Sequence, residues 1–125
     1  MSHLPLNPAS IATLVHEFYD DVRADPELAP VFNAAIGDRW APHLGRMVDF
    51  WITVMLGSRN FQGNVYGKHM ALSGITPEHF RRWLNLFEAT TARLFAPADA
   101  AEFQTVARRI AASLQYGFFG EVKVA

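Results

Sequence analysis

Five His residues and no Cys set the limits on metal and nucleophile chemistry in this chain. Without a thiol there are no thiolate zinc sites, no iron–sulfur clusters, no thioether-linked cofactor and no cysteine nucleophile, and no disulfide framework hints at secretion. Any metal must rest on imidazole, carboxylate or a neutral donor. His3 lies at a fraying end, His16 stands off the apolar stripe of its helix, and His79 falls in a helix's first turn among charged neighbours, so all three read as solvated. His43 shares a face with Met47 and Phe50, where a satisfied core residue and a ligand are both open readings. His69 differs in setting. It sits on a short segment between a loop and Gly74, which allows one imidazole to be aimed independently of the long helices. A neutral imidazole is the commonest side-chain metal ligand, and a nearby carbonyl can fix its second nitrogen. Spacing alone does not place His43 opposite His69.

Other motifs fail on their own chemistry. His16-Glu17-Phe18-Tyr19-Asp20 begins like a zinc-protease helix but has Asp where the second His must stand. There is no Glu-x-x-His pair for a di-iron bundle, no Gly-rich phosphate loop, no nucleophile elbow, and no flavin or nicotinamide motif.

The elements that must position these residues follow from apolar periodicity. Asn7-Pro8 opens a helix running to about Ala24, with Ile11, Leu14, Val15, Phe18, Tyr19 and Val22 on one stripe. Asp25-Pro26-Glu27 repeats the cap-plus-proline signal for a short turn that Pro30 limits, and Val31-Phe32-Asn33 reads as a connector. From Trp40 a broad apolar face, including His43, Leu44, Met47, Val48, Trp51, Val54 and Met55, continues until Gly57. Residues 57 to 67 read as a loop, and Lys68 to Ser73 as a turn or two of helix. Thr76-Pro77-Glu78 starts another long helix through Phe80, Trp83, Leu84, Phe87 and Leu94, which ends by Pro97. Asp99 with Glu102 resembles a capping box for the last helix, whose stripe is Phe103, Val106, Ala107, Ile110, Ala111 and Leu114. No strand pattern competes. The expectation is an all-α fold of four principal helices and two or three short ones.

Size and charge agree with that reading. The 125 residues (14.0 kDa) suit one domain, 1–125, and the formal charge of −1 gives no electrostatic footprint for nucleic acid. The pairs Arg81-Arg82 and Arg108-Arg109 read as solvated helix faces that serve solubility. The longest apolar run, 50–56, is far below the roughly 20 residues needed to cross a bilayer, and the N-terminus lacks a basic-then-apolar leader. A soluble cytoplasmic domain is expected, with no membrane partner. Ten Phe, three Trp and three Tyr are more than a plain bundle seam needs, so the aromatic lining is either a bulky core or a wall around a large flat ligand.

The ordered set Phe18-Tyr19, Phe32-Asn33, His43 with Met47, Phe50 and Trp51, Lys68-His69, and Phe80-Arg81-Arg82-Trp83-Leu84-Asn85-Leu86-Phe87 resembles the truncated haemoglobins of the third group. The likeness covers roughly residues 8 to 118, and the glycine pairs of the other two groups are missing. It implies a globin-like, two-over-two helical sandwich around haem b, with His69 as the proximal iron ligand. Tyr19, His43 and Trp83 match the family's distal positions, while Phe18, Phe32, Met47, Phe50, Trp51 and Leu72 match pocket walls; Lys68 is a candidate for the haem propionates. A phenol O–H and an indole N–H are donors suited to the partly anionic oxygen of a bound diatomic. His43 has three roles open to it: gate, further donor, or iron ligand when no external ligand is present. The implied function is binding of O2 and other diatomics (NO, CO). The alternative is NO dioxygenation or peroxidase-like chemistry at the same site, which requires a separate reductase.

Overall fold

The computed structural model describes residues 3–57 and 74–119. Among them are five helices: α1 (Pro8–Ala24), α2 (Leu28–Ile36), α3 (Trp40–Leu56), α4 (Pro77–Leu94) and α5 (Pro97–Phe119). The described part of the chain is all-α, as the periodicity predicts.

Helix ends follow local chemistry. At the start of α1 the Asn7 Oδ1 accepts the Ser10 N–H at 2.9 Å, and the Ser10 hydroxyl accepts the Asn7 N–H at 3.0 Å. Pro26 drives the preceding Asp25 to extended backbone (φ −78°, ψ 126°), which ends α1. Gly57 takes a left-handed conformation (φ 73°) that closes α3 without a Cβ clash. Thr76 and Pro77 open α4 as expected.

Three sequence readings need correction. Pro30 does not limit the second helical segment, and Val31-Phe32-Asn33 is not a connector: all lie within α2. Pro30 is the third residue of that helix, where a backbone N–H would have no intrahelical acceptor, so its missing donor costs nothing. The last helix starts at Pro97, not after Asp99. Proline's fixed φ suits the first helical position, and Asp99 then lies in the first turn near the positive end of the helix dipole. The arginine pairs are not merely solvated: Arg82 joins Asp25, and Arg108 joins Glu88 on the neighbouring helix.

Helix α4 packs most extensively on α5, while α1 packs against α2, α3 and α4. Phe87 is the hub. Its ring stacks on Trp83 (5.7 Å, 4° between planes) and Trp51 (5.0 Å, 21°) and receives the edge of Phe18 at 5.1 Å. Each such pair contributes roughly 0.5–1.5 kcal/mol beyond its area burial. Thr90 and Thr91 are fully buried beside it, and their hydroxyls donate to the carbonyls of Leu86 and Phe87 at 2.9 Å, so neither hydroxyl enters the core unpaired.

Candidate functional site

Part of the aromatic interior is open. A largely apolar cleft, open to solvent, lies among all five helices. Helix α1 supplies Tyr19; α2 supplies Phe32; α3 supplies His43, Met47, Phe50 and Trp51; α4 supplies Trp83. The structure therefore brings together, on one wall system, seven residues singled out in the sequence. Phe18 stands one layer behind, packed against Tyr19, Trp83 and Phe87, and does not line the cleft. Lys68, His69 and Leu72 lie outside the described residues.

Helical spacing explains the grouping. On α3, residues 43, 47, 50 and 51 recur three and four apart, which puts all four at the cleft. On α4, Trp83 lies one turn before Phe87, so the stack on that hub fixes the indole's plane at the edge of the cleft.

The polar edge of the cleft is held by rings. Tyr19 is 6 % exposed and touches Phe32 (6.0 Å), Trp40 (5.9 Å) and His43 (5.1 Å), each edge-on. Burial pushes its phenol well above the ordinary tyrosine range, so the hydroxyl keeps its proton. His43 is wedged between Tyr19 and Trp40, with its Nε2 shut off from solvent. Among the described residues no hydrogen bond joins the Tyr19 hydroxyl or the Trp83 indole N–H to a protein acceptor. Two donors thus border a largely apolar space, an arrangement suited to a polar atom on a bound ligand.

Several contributors escape the sequence reading. Trp40 braces both Tyr19 and His43; its Nε1 donates to the Asn33 Oδ1 at 3.1 Å, and the Arg23 guanidinium covers its outer face at 4.4 Å. The position of Trp40 at the head of an apolar stripe carried no sign that it would buttress a site. His79 is half-buried and lines the cleft, and its Nδ1 accepts the Thr76 N–H at 3.0 Å. Leu28, Val31, Ile75 and Phe80 complete that end, and Ile110, Ala111 and Leu114 of α5 reach the same space.

The Asp25 carboxylate lies beside this assembly. Its Oδ1 accepts the N–H groups of Glu27 (2.8 Å) and Leu28 (3.0 Å) and the Arg82 Nε (3.1 Å), while Oδ2 accepts Arg82 Nη2 (2.9 Å). Burial alone would raise its pKa, but the bonds from Arg82, Leu28 and Glu27, with the Arg82 charge, outweigh that and hold the carboxyl below its usual range.

No family model matches the chain. It is 40 % identical over 86 residues to a group 3 truncated hemoglobin of Campylobacter jejuni, spanning 66 % of this chain and 68 % of that protein. The crystal structure of a group III truncated hemoglobin from Campylobacter jejuni superposes with a TM-score of 0.86 and 33 % identity, over 92 % of this chain and 93 % of the other.

Proposed function

This chain belongs to the group III truncated haemoglobins, globin-type proteins that bind haem b, and from that membership we propose that it retains dioxygen and other diatomic ligands against Tyr19 and Trp83. The observation that carries the reading is that the buried Tyr19 and the half-buried Trp83 both line the cleft, with no acceptor for the Tyr19 hydroxyl or the Trp83 indole N–H among the described residues.

Haem suits these residues. A flat apolar macrocycle needs apolar and aromatic walls, and Phe32, Met47, Phe50 and Trp51 supply them in this cleft. When bound, haem would supply an iron that takes a small diatomic ligand. His69 would hold that iron, with Leu72 on the wall and Lys68 near the carboxylates. The Tyr19 O–H and the Trp83 N–H would donate to that small ligand, and His43 braces Tyr19. The apolar walls keep bulk water from competing for those donors.

At roughly 0.5–1.5 kcal/mol per neutral hydrogen bond, each donor slows ligand escape about two- to tenfold. Tyr19→Phe and Trp83→Phe are therefore expected to raise the O2 dissociation rate by that factor; unchanged rates in both remove the mechanism. The visible spectrum of freshly purified protein tests the iron ligand. His69→Ala should lose or loosen haem, and full retention would overturn the assignment.

A further inference from the structure

The two proposed donors stand on different helices, so their separation depends on whatever ties α1 to α4. Phe18 does this through packing. Asp25 does it through directed polar bonds. It directly follows α1, which carries Tyr19; its Oδ1 caps the first N–H groups of α2, which carries Phe32 and Asn33; and both its oxygens take the fork of Arg82, the neighbour of Trp83 in sequence.

This pair differs from the other ion pairs among the described residues. Its side chains are 11 % and 31 % exposed, whereas Glu78–Arg81, Glu17–Arg93 and Glu88–Arg108 lie further in solvent, and the first of these sits within one helix. A two-point bond from a planar guanidinium to a carboxylate that is itself fixed by two backbone N–H groups restricts rotation as well as distance. Helix α4 can then neither turn about its axis nor slide along α1 without breaking that geometry.

We infer that Asp25 and Arg82 are positioning residues that set where the Trp83 indole stands relative to Tyr19 at the ligand-binding face of the cleft. The inference rests on the donor role proposed for Trp83.

The test uses haem-loaded protein and three readouts: the stretching frequency of bound CO, which reports the polarity around the ligand, the O2 dissociation rate, and the thermal midpoint. Arg82→Gln should move the CO frequency in the same direction as Trp83→Phe and speed O2 release about two- to fivefold. Arg82→Lys keeps the charge but not the fork, and should fall between Arg82→Gln and the parent. In a Trp83→Phe background Arg82→Gln should add little, because both act through one indole. A lower thermal midpoint with parental CO frequency and O2 release would overturn the inference, as would full additivity with Trp83→Phe. If Trp83→Phe alone changes release while Arg82→Gln does not, only the positioning role fails; if Trp83→Phe is itself silent, the donor reading fails and takes this one with it. Should Arg82→Gln not fold, Asp25→Asn puts the same question, since it keeps a capping oxygen and loses the charge.

Discussion

The rings of Tyr19 and His43 meet edge to face, 5.1 Å between centroids and 85° between planes, with Trp40 closing the third side of the triangle. An aromatic edge held against a ring face has few alternative packings, so the phenol is oriented before any ligand arrives.

His43→Leu removes one side of that triangle. O2 release from the haem-loaded variant is expected to quicken about two- to tenfold in stopped-flow measurements. The increase should be smaller in a Tyr19→Phe background, since residues in contact do not act additively.

Alkaline pH separates a buried phenol from an exposed one. Burial raises the Tyr19 pKa, so the donor remains protonated through pH values near 10 where an ordinary tyrosine ionises, and ligand retention should stay flat there. The sign for stability is opposite in consequence: above about pH 10 the unfolded chain releases the proton while the folded one keeps it. The contribution is whole below that value and declines as pH rises through the folded pKa. In Tyr19→Phe, denaturant unfolding followed at rising pH should lose this part of the decline.

Phe87 is 1 % exposed and touches Trp51, Trp83 and Phe18. Phe87→Ala is expected to cost about 3–5 kcal/mol in guanidinium unfolding, through lost transfer energy and the cavity left behind. A loss below about 1 kcal/mol would mean that the stack contributes little.

Much of this architecture is legible in the residues alone. The starts at Asn7-Pro8 and Thr76-Pro77 and the stop at Gly57 are local events, decided by caps, by proline's fixed φ and by glycine's freedom at positive φ. Pro30 misleads because proline is both a helix breaker and a tolerated first-turn residue, and the choice depends on where the helix begins. That point is set by the Asp25 carboxylate, whose pairing with Arg82 spans 57 positions and leaves no periodic trace. His43 could be placed on an apolar face but not paired with Tyr19, because a ring–ring contact between helices depends on how they pack. His79 could not be placed at the cleft for a similar reason: its access there depends on how α4 packs against its neighbours.

Asn33 accepts the Trp40 indole N–H across the α2–α3 joint. Asn33→Ala leaves that donor without its partner at a residue 8 % exposed, at an expected cost of about 1–3 kcal/mol. Asn33→Asp keeps an acceptor oxygen and should recover most of it, which chemical denaturation of the two variants will show.

All three tryptophans of the chain lie at or near one space: Trp51 and Trp83 line it, and Trp40 packs on Tyr19 and His43, which line it too. Their emission overlaps the absorption of a porphyrin, so a seated cofactor will drain their excited states and an empty pocket will glow. The protein thus carries its own optical gauge of loading, readable in a dilute solution without a dye, and the fraction of chains that have captured or released the macrocycle can be followed in real time.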